Sequence, residues 1–370
     1  MPNQQKALVL PAKQGLFEIQ SVPIPTPPPG QLLIKVHSTA LNPVDWKIQV
    51  HGLYVEEYPT VLGVDIAGTV EALGEDVDNF SKGDRVFTEG IFKFSRAGFQ
   101  QYTISNADVT MKIPEHLTFD QAATIPAGLA TAALGLYLPR SPPNAHFGSA
   151  QLVAPWDADG RGKYKGKPFV VFGASSSVGQ YALQLARLSG FSPIIVTASL
   201  RHAEYLKSLG ATHVIDRYLP AASLQTTIAN ITAEPLETIF DAVAVPETQN
   251  IAQDLLALGG CLVLSLPPTV TVTSNKRIVM ALGQVNDPAE NHAFGVSLYK
   301  ALPSLLAEGA IQPNRVEILP GGLNGIVGGL EKMKHNAVSG VKLVARPLET
   351  LLAPFCSGLL LGFSPLILEE

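Results

Sequence analysis

The segment that most constrains the fold is residues 168–217, which read PFVVFGASSSVGQYALQLARLSGFSPIIVTASLRHAEYLKSLGATHVIDR. A short apolar run comes first, followed by a glycine-bearing turn, an amphipathic stretch and a second apolar run. Strands buried on both faces read as continuous apolar runs, and a crossover helix usually connects two parallel neighbours. The order therefore predicts a βαβ unit of a parallel sheet covered by helices. The later runs ETIFDAVA and GGCLVLSL are predicted to add strands to this sheet.

The turn GASSSVG at residues 173–179 is a candidate phosphate-binding turn. Such a turn needs small residues where the backbone approaches a pyrophosphate, and a helix N-terminus whose free N–H groups face the anion. Only Gly179 occupies a position of the usual three-glycine fingerprint, because the other two positions hold Ala174 and Ser176. The turn also fits the serine-rich N-cap of an ordinary helix. The candidate residues are Gly173, Ser175, Ser176, Ser177, Val178 and Gly179.

The end of the second predicted strand favours NADP over NAD. NAD enzymes usually place Asp or Glu there, about 20 residues after the glycines, to bind the ribose 2′-hydroxyl. This chain has Ser199, Leu200, Arg201 and His202 instead. Hydroxyl, guanidinium and imidazole groups bind a 2′-phosphate, whereas a carboxylate would repel it. Arg217, after the third strand, is predicted to add a second cation at this edge, although it also fits a solvated surface arginine.

The first 125 residues differ in character from this unit. Short apolar or alternating runs, a proline cluster from Pro23 to Pro29 and several turn glycines predict a β-rich domain. A net charge of −5, from 26 basic and 31 acidic residues without a long block of like charge, disfavours nucleic-acid binding. Two cysteines cannot build a disulfide framework or a four-thiolate zinc site. The N-terminal MPNQQKALVLPAK shows no secretory signal, so a cytoplasmic location is expected.

One apolar run stands apart from the predicted domains. Residues 351–368 read LLAPFCSGLLLGFSPLIL, without a charge, and are just long enough to raise the question of a membrane span. Pro354 and Pro365 interrupt the run, and no basic residue follows it. Three interpretations stay open: a C-terminal membrane anchor, an apolar extension packed on the body, and a mispredicted exon end. Membrane contact is expected only if the run is an anchor.

Several motifs occur in the order typical of one family. They are LNPVDWK at 41–47, LGVDIAGTV at 62–70, GDRVF at 83–87, GFQQYTI at 98–104, IPAGLATA at 125–132 and SGVKLV at 339–344. From Lys6 to Pro347 the chain resembles the medium-chain dehydrogenase/reductase superfamily, and most of all its zinc-free quinone and enoyl reductase branch. Within that branch it is similar to the trans-acting enoyl reductases of fungal polyketide biosynthesis, which share the serine-rich turn and a proline-rich insertion before it.

The resemblance implies an α/β fold in which a Rossmann doubly wound parallel sheet is inserted into a GroES-like β-rich domain. Cofactor and substrate are then expected to meet in the cleft between the two domains. The predicted division is 1–125 for the first part of the GroES-like catalytic domain and 126–285 for the Rossmann NADP-binding domain. Residues 286–347 are predicted to return to the catalytic domain, and residues 348–370 to form an apolar C-terminal extension.

The resemblance also predicts that no metal takes part. Zinc-dependent members of the superfamily bind catalytic zinc through a cysteine and through the His-Glu pair of a GHE motif. The matching positions here hold Asn42 and, for the motif, Gly63, Val64 and Asp65. A lone carboxylate cannot make the three-ligand catalytic site, so zinc catalysis is not expected.

Without a Lewis acid, conjugated carbonyls are the most accessible acceptors for a nicotinamide hydride, and donors must face the oxygen on which charge develops. The resemblance implies Lys47, Asn42 and Thr131 for that role, with Asp45 orienting Lys47 or a cofactor hydroxyl. Lys47 also fits a surface lysine that follows a strand turn. Substrate contacts are expected from residues 127–134 and 280–285.

Further cofactor contacts rest on the resemblance alone. They are Val44 and Trp46 near the nicotinamide half, Ser265 and Leu266 after the strand CLVL, and Gly340 and Val341 in the closing motif. Trp46 also fits a buried core indole. Arg217 stands where relatives often have a tyrosine, a change that loses ring stacking but keeps affinity for phosphate.

The leading hypothesis is an NADP(H)-dependent reductase of a conjugated carbonyl or enoyl thioester. Its most specific form is a trans-acting enoyl reductase with a small-molecule or carrier-bound substrate and a polyketide synthase as partner. A quinone or enone reductase of general detoxification is the alternative within the same chemistry. A cofactor-binding scaffold, an isomerase or a cyclase is the alternative outside it.

Overall fold

The computed structural model describes residues 3–139, 147–271 and 275–350. Its strands before the central sheet are β1 (Gln4–Leu10), β2 (Glu18–Pro23), β3 (Gln31–Ala40), β4 (Thr60–Val61), β5 (Asp65–Leu73), β6 (Arg85–Glu89), β7 (Tyr102–Asn106) and β8 (Thr110–Lys112). The central strands are β9 (Phe169–Phe172), β10 (Ile194–Ala198), β11 (His213–Asp216), β12 (Thr238–Asp241), β13 (Cys261–Leu264) and β14 (Arg277–Met280). Two strands follow, β15 (Val316–Leu319) and β16 (Lys342–Ala345).

The helices lie between these strands. They are α1 (Pro43–His51), α2 (Phe119–Ala122), α3 (Pro126–Tyr137), α4 (Ser177–Leu188), α5 (Ala203–Leu209), α6 (Ala221–Ile231), α7 (Pro246–Leu255), α8 (Ala289–Ala307) and α9 (Asn324–Lys334). No helix of the described ranges is both long and apolar enough to cross a membrane. The apolar run at 351–368 lies outside these ranges.

The central sheet has six parallel strands in the order β11-β10-β9-β12-β13-β14. β9 (FVVF) and β13 (CLVL) are buried at every residue, as expected for strands covered on both faces. The chain leaves β9 toward β10 and β11, then returns to the other side of β9 for β12 to β14. This is a doubly wound sheet, and β9, α4 and β10 form the βαβ unit that the sequence predicts.

The other strands build two sheets. One has the order β2-β1-β4, and the other has the order β15-β16-β3-β5-β6-β8, with β7 also pairing with β3. Because β16 pairs antiparallel with β3 through Val344 and Ala345, the end of the described chain completes the sheet that its beginning starts. The β-rich part is therefore discontinuous in sequence, with the parallel sheet inserted into it.

Helix α3 lies where the two parts meet. It begins at Pro126. Proline suits the first helical position because an N–H there would have no acceptor within the helix, and proline has none to donate. All of its residues except Thr131 are buried, and it packs on α4, α8 and β13 on one side and on β5 and β6 on the other. Contacts at its N-terminus therefore couple the parallel sheet to the β-rich part.

Candidate active site

The candidate cofactor crevice lies at the carboxyl edge of the parallel sheet, beside β9 and β12. Strand order changes direction between these two strands, and ligands of doubly wound sheets bind at that point. Gly173, directly after β9, has φ +71°, and a β carbon there would lie 2.3 Å from Val243 Cγ2 after β12. A β carbon on Gly179 would lie 2.4 Å from the Gly173 carbonyl oxygen. The two glycines let the turn, α4 and the end of β12 approach closely.

The serines of the turn have separate roles. Ser176 is the N-cap of α4, and its hydroxyl accepts a hydrogen bond from Gly179 N at 3.1 Å. Ser177 donates its hydroxyl to Asn314 Oδ1 at 2.5 Å, so that proton is already committed within the protein. The ordinary N-cap interpretation and the phosphate-binding one are thus compatible, because the backbone N–H groups of Ser177 and Val178 still lie in the first turn of α4. Contact between these residues and a pyrophosphate stays a prediction.

The fold brings residues of the predicted 2′-phosphate region together at the ends of β10 and β11. Arg201 follows β10, and Arg217 N, directly after β11, donates to the Ala198 carbonyl at the end of β10. Burial and then the charges of Arg201, Arg315 and Arg217 lower the pKa of His202. No carboxylate occurs between the end of β10 and the start of α5. The electrostatics of this edge favour an anion.

His202 does not serve as a free cation here, in contrast to the sequence-based expectation. Its ring is buried, and Nε2 lies 3.0 Å from Ser339 Oγ and 3.3 Å from Arg201 Nε, which donates to it. A β carbon on Gly340 would lie 2.4 Å from its Cε1. The neutral ring therefore holds the closing segment 339–340 against the end of β10. Gly340 therefore lies beside the end of β10, and contact of Gly340 and Val341 with a cofactor stays a prediction.

Arg315 is the functional candidate that sequence reasoning missed. Its guanidinium carbon lies 3.7 Å from the centroid of the Tyr205 ring, and Tyr205 donates its hydroxyl to Gln180 Oε1 on α4. The residue precedes β15, far along the chain from the β10 edge, and no motif marks it. Only the fold places its charge beside Arg201 and Arg217.

Apolar side chains border the same edge of the sheet. Leu200, Val243 and Val245 are 53%, 38% and 41% exposed at the ends of β10 and β12. Ser265 and Leu266 follow β13, and Ser265 N donates to the Asp241 carbonyl at 3.1 Å. Exposed aliphatic groups beside an arginine cluster suit a ligand with a flat apolar ring and a charged end.

Lys47 is a half-buried lysine on α1. Burial lowers the pKa of its ammonium group, and Nζ lies 5.8 Å from the centroid of the Trp46 ring. Within the described ranges it makes no hydrogen bond and no salt bridge. Trp46 and Val44 pack against the core formed by β1, α1 and α9, so the core interpretation of Trp46 is supported by its packing. A cation held partly away from water without a carboxylate partner is a candidate functional group.

Asp45 makes its hydrogen bonds with the backbone. Its side chain is fully buried, and its carboxylate accepts hydrogen bonds from Asn42 N at 2.7 Å and from Gly63 N at 3.2 Å. Burial raises the pKa of Asp45 to about 7, against the lowering effect of these two hydrogen bonds. One oxygen of Asp45 thus caps α1 and the other holds the turn at Gly63, whereas the positioning role toward Lys47 or a cofactor stays a prediction.

Asn42 also makes its side-chain hydrogen bonds within the protein. Its Nδ2 donates to Asp65 Oδ2 at 2.8 Å, and its Oδ1 accepts from Lys342 Nζ at 2.6 Å. Lys342 also forms a 2.8 Å salt bridge with Asp65, and Ala127 N, at the start of α3, donates to Asp65 Oδ1 at 2.7 Å. This network, which we call the Asp65 network, consists of Asn42, Asp65, Ala127 and Lys342. Both polar atoms of the Asn42 side chain have a partner in this network, and the catalytic role of Asn42 stays a prediction.

The Asp65 network also bears on metal binding. Asp65 stands where zinc-dependent members of the superfamily have the glutamate of the GHE motif. Its carboxylate pairs with the ammonium group of Lys342 and accepts hydrogen bonds from a side-chain amide and a backbone N–H. Among the described residues, no three His, Cys, Asp or Glu side chains are grouped to hold a metal. The donor set at this position suits a structural ion pair.

Thr131 is the last of the predicted catalytic residues. Its hydroxyl donates to the Ala127 carbonyl at 2.7 Å within α3, so its proton does not face a substrate oxygen. A β carbon on Gly283 would lie 1.9 Å from Thr131 Oγ1. The two segments expected to contact substrate, 127–134 and 280–285, are therefore in direct contact at this pair, although the predicted donor role of Thr131 does not fit its hydrogen bond.

Comparisons with known proteins agree with this geometry. The sequence matches the alcohol dehydrogenase GroES-like domain over residues 28–115 and the family described as zinc-binding dehydrogenase over residues 177–280. Trans-enoyl reductase RAP2 of Pyricularia oryzae is 32% identical over 370 residues, covering 93% of this chain and 98% of the relative. The chain belongs to the medium-chain dehydrogenase/reductase superfamily. Trans-enoyl reductase resD of Aspergillus sclerotiorum is 33% identical and covers 88% of this chain and 95% of its own.

Solved structures show the same fold. An alcohol dehydrogenase superfamily protein from Novosphingobium aromaticivorans has a TM-score of 0.74 at 22% identity, covering 92% of this chain and 99% of its own. The quinone oxidoreductase from Coxiella burnetii has a TM-score of 0.67 at 26% identity, covering 92% and 98%. The predicted fold class and family are confirmed. This medium-chain reductase is an oxidoreductase, and its superfamily uses nicotinamide cofactors.

Proposed function

We propose that this protein is an NADPH-dependent reductase that delivers hydride to the β carbon of a conjugated carbonyl without zinc, and that its substrate is an enoyl thioester. The observation that carries the proposal is the stretch that follows β10, residues 199–203, which holds Arg201 and no carboxylate. Arg201 Nε donates to His202 there, and the charges of Arg201, Arg315 and Arg217 act on the same ring. The names of the relatives, trans-enoyl reductases, support the enoyl substrate. A polyketide synthase that presents a carrier-bound intermediate is the partner we propose, on the strength of the resemblance in sequence.

The residues of the crevice fit NADPH. The turn at 173–179 has the close backbone approach and the helix N-terminus that a pyrophosphate needs. The three arginines suit the 2′-phosphate, since guanidinium groups bind phosphate oxygens in a bidentate manner. Leu200, Val243 and Val245 offer an apolar border for the adenine ring. When bound, the nicotinamide supplies the hydride, and the protein contributes binding and electrostatics.

Lys47 is the residue to which we assign the developing oxyanion. Hydride addition to the β carbon places negative charge on the carbonyl oxygen, and a preorganised cation stabilises that charge most where water is excluded. Lys47 is half-buried and is paired with no carboxylate of the described chain, so its charge is not neutralised within the protein. Asn42 and Thr131 are not assigned this role, because their donors are committed to Asp65 and to the Ala127 carbonyl.

A quinone or enone substrate is the second candidate. It is favoured by the likeness to the quinone oxidoreductase of Coxiella burnetii, which extends over nearly the whole chain. Both candidates use the same hydride chemistry and the same Lys47 assignment. They differ only in the group that the substrate side of the cleft must accept.

The reaction is tested with purified protein, NADPH and three probes: crotonyl N-acetylcysteamine thioester, cyclohexenone and benzoquinone. We expect oxidation of NADPH to be most efficient with the thioester, and Lys47→Met to lower kcat by about 100-fold. Lys82→Met is the matched control, because Lys82 is an exposed lysine paired with Glu71. Failure of all three probes would refute the reductase proposal, and preference for benzoquinone would select the second candidate.

Cofactor choice is tested separately by binding. Arg201→Ala is expected to weaken NADPH binding by about tenfold, equal to 1.4 kcal/mol, and to leave NADH binding unchanged. Arg161→Ala is the control, because this exposed arginine pairs with Glu308 and precedes β9, at the opposite edge of the sheet. Equal loss of NADPH and NADH binding in Arg201→Ala would contradict the assignment of the 2′-phosphate.

A further inference from the structure

Glu89 is a buried carboxyl group that the proposed reaction does not use. It is the last residue of β6, only 1% of it is exposed, and it stands opposite Asp65 in the pairing of β5 with β6. Its Oε2 accepts a hydrogen bond from Val285 N at 3.0 Å, and its Oε1 has no partner. No cation of the described residues forms a salt bridge with Glu89. Lys342 forms its salt bridge with Asp65 instead.

The segment that Glu89 holds is the one expected to contact substrate. Val285 is fully buried, and its N–H has no other acceptor among the described residues. The next residue, Asn286, donates its Nδ2 to the Glu89 carbonyl at 2.9 Å. Two residues before Val285, Gly283 packs directly against Thr131 of α3. Glu89 therefore reaches from the β-rich part to the stretch 283–286, and that stretch lies against the helix that begins at the Asp65 network.

Burial favours the neutral form of the Glu89 carboxyl group. Burial raises its pKa well above the usual value, the Val285 N–H opposes that effect, and the charge of Asp65 adds to it. The hydroxyl of Tyr299 on α8 is also buried, and burial raises its pKa. Two carboxyl groups in register with only one lysine cannot both carry charge cheaply in a buried site.

We propose that Glu89 is a positioning residue that fixes the 283–286 segment against α3, through the hydrogen bond that its carboxyl group accepts from Val285 N, and so shapes the substrate side of the cleft. The role rests on the proposed reductase function, because it presumes that residues 280–285 border the substrate. The Glu89 carboxyl group is the acceptor of the buried Val285 N–H, so its loss leaves that N–H without a partner. Small misplacements of substrate-positioning groups cost about 100-fold in rate.

The test compares Glu89→Gln with Glu89→Met. Glutamine is neutral and keeps an oxygen that accepts from Val285 N, whereas methionine fills a similar volume without an acceptor. Glu71→Gln, on the neighbouring strand β5, is the control for the substitution itself. Hydrogen–deuterium exchange of the peptide containing Val285 measures positioning directly, and kcat/KM with crotonyl N-acetylcysteamine thioester measures its effect. NADPH affinity is measured in parallel.

We expect Glu89→Met to exchange faster at Val285, to lose at least about tenfold in kcat/KM for the thioester, and to bind NADPH within about twofold of the wild type. Glu89→Gln is expected to resemble the wild type in all three measurements. The inference is overturned if Glu89→Met keeps wild-type exchange, or if Glu89→Gln is as impaired as Glu89→Met. Glu89→Ala repeats the comparison if the methionine variant does not fold. A wild type that reduces no probe would refute the proposed function alone, since the exchange comparison does not depend on turnover.

Discussion

The buried salt bridge between Lys342 and Asp65 supports a quantitative prediction about stability. The two side chains are 4% and 0% exposed, and Nζ lies 2.8 Å from Oδ2. Lys342→Met removes the cation and leaves Asp65 with only the amide of Asn42 and the N–H of Ala127 as donors. Removing one partner of a buried pair costs about 3–5 kcal/mol, because the other charge stays buried without compensation.

An exposed pair in the same part of the chain provides the control. Lys332 Nζ lies 3.0 Å from Glu317, at nearly the same distance as in the buried pair, but the side chains are 52% and 43% exposed. Water and salt screen such pairs, so Lys332→Met is expected to cost about 0–1 kcal/mol. The two substitutions have identical chemistry, and burial is the variable that separates them.

Thermal unfolding followed by circular dichroism measures the contrast. At roughly 2–4 °C per kcal/mol for a chain of this size class, Lys342→Met should lower Tm by about 6 °C or more, and Lys332→Met by about 4 °C at most. Adding Asp65→Asn to Lys342→Met should recover part of the loss, because a neutral amide needs no cation. Equal Tm values for the two lysine variants would refute the assignment of an energetically important buried pair, and so would a double variant less stable than Lys342→Met alone.

Three further predictions follow from the site. The pKa of Asp45 is about 7 in the folded state, against its ordinary value of 3.8, so ionisation of this carboxyl group opposes folding. The free energy of unfolding should therefore fall by up to about 4 kcal/mol as the pH rises from about 4 to about 7. Asp45→Asn should gain in Tm relative to the wild type between about pH 4 and pH 8, and parallel curves of Tm against pH would contradict this. Gly283→Ala places a β carbon 1.9 Å from Thr131 Oγ1 and should lower the free energy of unfolding, measured by chemical denaturation, by about 1–3 kcal/mol. Adding Thr131→Ala should restore part of this loss, and fully additive effects in the double variant would show that the contact is not the cause. Arg315→Ala should weaken NADPH binding by about tenfold in a fluorescence titration and leave NADH binding unchanged, with Arg161→Ala as the control. An unchanged NADPH affinity would show that Arg315 does not bind the 2′-phosphate.

The parallel sheet and the turn between β9 and α4 could be predicted because their signals are local. FVVF, GASSSVG and IIVTA lie within a few tens of residues, and each pattern has one main structural meaning. Ser176 shows the limit of such signals. Its N-cap role and its place in the phosphate turn are the same geometry, so the two interpretations that the sequence left open were never exclusive.

The catalytic assignments were harder to predict because they depend on partners distant in sequence. Asn42 and Asp45 stand in a family motif near the cleft, but their polar atoms are occupied by Lys342, Asp65 and backbone N–H groups that no local pattern reveals. Lys342 itself reads as one charge in the apolar strand KLVA. Arg315 was missed for the same reason. A lone arginine before a strand belongs to no motif, and only the fold brings its charge to act on His202.

The completion of one sheet by β16 also has a consequence for synthesis of the chain. The ribosome makes Asp65 and Asn42 long before Lys342, so during most of translation the carboxylate has no ammonium group to pair with. The six strands of the parallel sheet, by contrast, emerge one after another without interruption by the β-rich part. Since domains tend to fold as units during synthesis, we expect the inserted sheet to form on the nascent chain first and the β-rich part to close around Lys342 afterwards. A polypeptide released before residue 342 would then carry a folded cofactor domain beside an open sheet, which is the kind of species that cellular proteases remove.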